Sequence, residues 1–128
     1  MGRNLHYTIP RFLHNVLDNH KMVRDWKRID HPSDDNDFIY NIRRTGGLSD
    51  IVLHASDDYR YLLTDYFQKP EKIGQGAFIL IARPEGDYAE EVVDIASQDE
   101  ISIGKFSALM GALYRDDHWN YIPKERKE

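Results

Sequence analysis

The sequence predicts an α+β domain: a four-stranded mixed sheet, made of two hairpins joined by a strand-helix-strand crossover, packed by three helices. Three observations lead there. Segments with apolar residues at helical spacing alternate with segments of period two, and one short run is apolar throughout. No repeat, linker or low-complexity stretch divides residues 1–128, so a single domain is expected.

The first helix is expected from Ile9 to Arg28. Ile9, Phe12, Leu13, Val16 and Leu17 recur at helical spacing, and Val23 and Trp26 continue the stripe. Thr8 suits the N-cap and Pro10 the first turn, where its missing N–H costs nothing. The stripe weakens at Asn19-His20, where a bend is expected. Asp30 to Asp37 offers nothing to bury and reads as an exposed loop.

Phe38 to Arg44 alternates as a half-buried strand does, and strand character resumes from Asp50 to His54. Gly46-Gly47 between them supplies the positive φ angles of a tight hairpin. The period then changes. Tyr59, Leu62, Leu63, Tyr66 and Phe67 predict an amphipathic helix over Asp57 to Lys69, with Ser56 as N-cap, Asp57 and Asp58 at the positive end of the dipole, and Pro70 as its stop.

Ala77 to Ala82 follows the Gly74-Gln75-Gly76 loop and, being continuously apolar, predicts a strand buried on both faces. Pro84 to Asp87 is a turn. Tyr88 to Ala96 suits either state, and the β-branched Val92, Val93 and Ile95 favour a strand returning beside its predecessor. A last helix carries Ile103, Phe106, Leu109, Met110, Leu113 and Tyr114, with Ser102 as its cap; Lys124 to Glu128 is expected to fray.

A chain of 128 residues buries roughly two thirds of its extended surface on folding and needs no covalent staple. It has no cysteine, which excludes disulfides, thiolate metal sites and cysteine nucleophiles. Its apolar runs fall far short of the roughly 20 residues that span a bilayer, and the charged first thirty residues do not read as a signal peptide. His6 stands where a myristoylation signal needs Ser or Thr. A soluble, cytoplasmic protein with no membrane partner is expected.

Acidic residues outnumber basic ones by 22 to 17, for a net charge of −5, which argues against a protein that coats phosphate backbones. Eight tyrosines are the more informative feature, because Tyr joins an apolar body to a polar tip and is enriched at interfaces. The leading expectation is a non-catalytic interaction or regulatory protein, without a cofactor, that binds another protein or itself through a tyrosine-rich surface.

The alternative is a small metal-dependent hydrolase of the nuclease or phosphodiesterase type. Asp50, His54, Ser56, Asp57 and Asp58 cluster around one strand end, where His54 with Asp57 and Asp58 has the chemistry to ligate a divalent metal or to act as an oriented general base. Asp116-Asp117-His118-Trp119 is a second cluster, and Asp116 with His118 would complete the metal site if the fold brought it to His54. His14 and Asp18, four apart on one helix, form a weaker pair. Ser56-Asp57-Asp58 is also what ordinary helix capping selects, and Asp117-His118 what a polar helix end provides.

A nucleic-acid-binding module is the third reading. Arg43 and Arg44 beside the hairpin tip, with Tyr40 on the same ribbon, would make a basic aromatic finger. The two carboxylates after Ser56 argue against a phosphate cradle there, and Gly74-Gln75-Gly76 precedes a strand, unlike a nucleotide fingerprint.

Overall fold

A computed structural model describes residues 8–29, 38–56, 58–123 and 125. The loop expected over 30–37, the candidate Asp57 and most of the 124–128 end lie outside the described residues.

The fold is α+β, with a five-stranded mixed sheet in place of the expected four strands. In chain order the strands are β1 (Val23–Arg28), β2 (Ile39–Arg44), β3 (Ile51–Ser56), the short β4 (Arg60–Tyr61), β5 (Phe78–Ile81), the short β6 (Asp87–Tyr88) and β7 (Ser102–Gly104). The helices are α1 (Thr8–Asn19), α2 (Leu63–Phe67), α3 (Glu90–Gln98) and α4 (Phe106–Ala112), with a 3-10 turn at His118–Asn120. The main sheet runs β1-β2-β3-β5-β7, antiparallel across its first three strands and parallel across its last three. No helix among the described residues is long and apolar enough to cross a membrane.

Side-chain alternation divides the core into two layers. Tyr40, Ile42, Leu53, Phe78 and Leu80 face one way, onto Leu13 and Leu17 of α1 and Leu109 and Leu113 at α4. Ile39, Ile79, Ile81 and Ile103 face the other way, onto Tyr66 of α2 and Val92 and Ala96 of α3. β5 is buried at every residue, as its uninterrupted apolar run requires.

The first helix is shorter than its stripe. It stops at Asn19, where the Asn19 amide donates back to the Asn15 carbonyl (2.8 Å) and His20 accepts the Met22 N–H (3.1 Å), turning the chain into β1. Val23 and Trp26, read as helical, belong to this strand. The ladder slips at Arg24, so Val23 faces Arg44 while Asp25 faces Arg43. That extra residue puts Val23 and Trp26, three apart, against the same core layer, which reproduces a helical spacing inside a strand.

The hairpin of β2 and β3 is as expected, with φ of +72° and +76° at Gly46 and Gly47. The helix expected over 57–69 contracts to α2, because Arg60 and Tyr61 pair in parallel with Asp87 and Tyr88 of β6. Ser56 is therefore not a helix cap: its hydroxyl donates to the Asp58 carboxylate (2.8 Å) and accepts the Asp58 N–H (3.2 Å). Asp65 instead accepts the Leu62 N–H at the start of α2 (2.8 Å). Of the expected apolar face, Tyr66 is buried and Leu63 half-buried, while Tyr59, Leu62 and Phe67 are exposed.

The second hairpin does not form. Residues 90–98 are helix α3, with Ala89, Val92 and Ala96 on its buried side and Glu90 and Glu91 at the positive end of its dipole. It is the crossover that returns the chain to β7, so β5 and β7 run parallel. Ser102 and Ile103, read as a cap and a helix residue, are strand residues, and one residue separates β7 from α4. Gly104 permits this tight passage, since a Cβ there would sit 2.4 Å from that of Ala108.

Glu100 closes α3 with φ +61°, the left-handed conformation that glycine adopts without penalty. Its N–H bonds the Ser97 carbonyl (3.0 Å) and the Ile101 N–H bonds that of Ala96 (2.8 Å). Glu100→Gly is expected to raise urea-denaturation stability by about 0.5 to 1 kcal/mol through relief of this strain. A loss of stability would show that the Glu100 carboxylate's bond with Gln75 outweighs the strain.

Candidate functional site

A cleft of about 970 Å³ lies on the outer edge of the sheet beside β7. β7 is an edge strand of three residues, too short to leave a long open ladder. After α4 the chain crosses this edge from the 3-10 turn to Glu125, and the cleft opens between that crossing and α3. From α3 come Glu90, Val93, Asp94 and Ser97, which the 3, 4 and 7 spacing places on one face. From the crossing come Trp119, Tyr121 and Ile122, and Tyr88 of β6 lines the cleft with them.

His118 anchors the crossing. It is 2% exposed, accepts the Ser102 hydroxyl at Nδ1 (2.5 Å) and donates from Nε2 to the Gly76 carbonyl (3.0 Å). Burial pushes its pKa down to about 4, so it is neutral at pH 7. With both nitrogens engaged, this histidine is a fastener rather than a base. Next to it the Trp119 carbonyl accepts the Ser97 hydroxyl (3.5 Å), and the Tyr121 ring rests on Gly111, where a Cβ would overlap it.

At its far end the cleft is closed by the Glu125 carboxylate, which accepts the Lys105 N–H (3.1 Å), the Ser107 hydroxyl (2.9 Å) and the Tyr88 hydroxyl. Beyond Glu125 and Lys105 lies a second, more apolar cavity of about 760 Å³, with Ile9, Phe12, Ala82, Pro84 and Phe106 among its walls. Arg60 pairs with Asp87 (2.8 Å) and Arg83 with Glu85 (3.3 Å) at the cleft's rim.

Of the residues singled out from sequence, His54, Ser56 and Asp58 come together and the others lie elsewhere. His54 is buried on β3, beside a space of about 30 Å³ shared with Ser56 and Asp58, room for one water molecule and no substrate. Asp116 and His118 sit at the amino ends of the parallel strands, by the hairpin tip and Gly76, whereas Ser56 and Asp58 sit at the carboxyl end of β3. The fold thus holds the second cluster a strand's length from Ser56 and Asp58. Among the described residues no three His, Asp or Glu side chains are grouped to hold a metal. Asp50 accepts the Asn41 amide (3.3 Å), Asp117 pairs with Arg115 (3.3 Å), and Asp18 accepts the Trp26 indole N–H (2.8 Å) while His14 bonds the Tyr40 hydroxyl (3.0 Å).

Nor do Tyr40, Arg43 and Arg44 share a surface. Tyr40 is fully buried, Arg43 is held by Asp25 through a paired contact (2.7 Å at Nε), and the Arg44 side chain is 1% exposed. Arg44 points into the molecule and donates to the carbonyls of Ser49 (2.7 Å), Leu113 (3.1 Å) and Arg115 (2.7 Å).

Among the described residues the tyrosines also separate by role. Tyr40, Tyr61 and Tyr66 are core, Tyr59 and Tyr114 are exposed and lie under Arg83 and Lys21, and Tyr88 and Tyr121 are the half-buried pair that lines the cleft. The cleft is hidden in the sequence because the β-branched residues of its α3 wall favour a strand, although Glu90, Val93, Asp94 and Ser97 carry the helical spacing that marks it. No family model, curated protein or solved structure matches the chain.

Proposed function

We propose that this protein is a non-catalytic interaction module that binds a partner protein in the cleft along β7. The observation that carries the reading is the lining: two half-buried tyrosines and a tryptophan around one concavity of about 970 Å³. Tyr and Trp bring large, rigid, amphipathic contact area at low entropic cost and dominate recognition hot spots. Neither His54, the candidate base, nor His118, the candidate metal ligand, lines this cleft.

A photo-crosslinking residue at position 93, on the α3 wall, is expected to give covalent protein adducts in the cell that makes the protein. The same residue at Lys27, on exposed β1 across the sheet, is expected to give none. Adducts at both positions or at neither would refute the reading.

A further inference from the structure

We infer, on the reading that a partner protein occupies the cleft, that the partner enters it with a lysine or arginine side chain. Carboxylates outnumber cations along its walls: Glu85, Asp87, Glu90, Asp94 and Glu125 against Lys105. Most of these are already matched. Asp87 and Glu85 have their arginines, Glu125 takes the Lys105 N–H and two hydroxyls, and the Lys105 ammonium is turned to the Pro84 carbonyl (2.8 Å). Glu90 and Asp94 are left, one turn apart on α3 with no ion pair among the described residues, and Val93 lies between them.

A guest that complements this lining needs an apolar stem for Val93 and the rings of Tyr88, Trp119 and Tyr121, and a positive end for Glu90 and Asp94. Lysine and arginine have both parts. The negative face of an aromatic ring attracts the same cation, so rings and carboxylates select in one direction. A phosphate or a carboxylate guest would meet two like charges, which disfavours nucleic acid and acidic segments. The net charge of −5 adds a long-range attraction for a basic partner.

The test uses capped Ser-Gly-X-Gly-Ser peptides, with X lysine, arginine, norleucine or glutamate, titrated into the 15N-labelled full chain. The lysine and arginine peptides are expected to shift the Val93 and Asp94 amides and the Trp119 indole N–H saturably, with affinity about tenfold above that of the norleucine peptide. Glu90→Gln with Asp94→Asn should erase that advantage in a chain that stays folded, with only the small drop in thermal transition that losing Glu90 from the positive end of the α3 dipole brings. Added salt should erode the lysine advantage and leave norleucine binding unchanged. Norleucine binding as tightly as lysine, or glutamate binding more tightly, overturns the inference while leaving a partner in the cleft. Adducts at position 93 with no peptide shifting the cleft overturn it as well. Lysine-selective shifts without adducts support the cationic site and refute the partner protein.

Discussion

Arg44→Ala is expected to be among the most damaging single substitutions in this chain, costing about 3 to 5 kcal/mol in urea denaturation. The guanidinium closes the C-terminal end of α4, where helix carbonyls lack partners and the dipole is negative. Its Nη1 donates to Leu113 (3.1 Å) and Arg115 (2.7 Å) and approaches Ala112 (3.4 Å), and its Nε donates to Ser49 across the hairpin tip. Truncation opens a cavity and strips the buried Leu113 carbonyl of its arginine donor, which costs roughly 1 to 3 kcal/mol, and it also releases the part-buried Ser49 and Arg115 carbonyls, while Ala112 keeps the Arg115 N–H (3.1 Å). Arg44→Lys should recover part of the loss, since one ammonium cannot aim along all these directions. Asp116, whose carboxylate is 60% exposed and lies 3.4 Å from Nη2, contributes through a solvent-screened contact, so Asp116→Asn should leave the transition close to that of the parent. A shift below about 1 kcal/mol for Arg44→Ala would mean that water or a neighbour satisfies these carbonyls once the guanidinium is gone.

The same residue shows where sequence reading reaches its limit. Arg43 and Arg44 are neighbours of one type, and strand alternation says that they face opposite sides. Which of them faces the core depends on the carbonyls that α4 brings from about seventy positions away, and no local pattern carries that. The β2-β3 hairpin and β5 were legible because their signals are local: a glycine pair at the turn and an apolar run with nothing polar to expose. The element after β5 was not, because Val92, Val93 and Ile95 favour a strand while Ala89, Val92 and Ala96 give a helical face. Tertiary context decided, since a helix there covers Ile79, Ile81 and Ile103 and a strand would not. The candidate sites fared alike. Asp116 and His118 are close in sequence to a helix end, but their partners are Ser49, Ser102 and Gly76, each contributed by a different loop or strand.

Acid should unfold this protein through His118 before most of its carboxylates are protonated. The imidazole is held neutral by burial, which outweighs the bond to the Gly76 carbonyl that favours its charged form, and its pKa falls from 6.5 to about 4 in the fold. In the unfolded chain it protonates near 6.5. Between those values the unfolded state binds a proton that the folded state refuses, so stability is complete above about pH 7 and declines as the pH drops toward 4. At about 1.4 kcal/mol per unit the loss approaches roughly 3 kcal/mol. Arg44 opposes protonation while Asp116 and Asp117 favour it, all more weakly than burial. His14, also lowered by burial, adds to the decline in the same direction, so the parent's profile alone does not isolate His118. The comparison that does is His118→Gln, whose amide can still donate to Gly76 and accept from Ser102 but does not titrate. At pH 7 the variant should be the less stable, from imperfect packing. The gap should narrow as the pH falls and close or reverse by about pH 4.5, since only the parent loses the His118 contribution. Urea midpoints at pH 7, 5.5 and 4.5 measure it, and a gap that stays constant across that range would show that His118 titrates alike in the folded and unfolded chain.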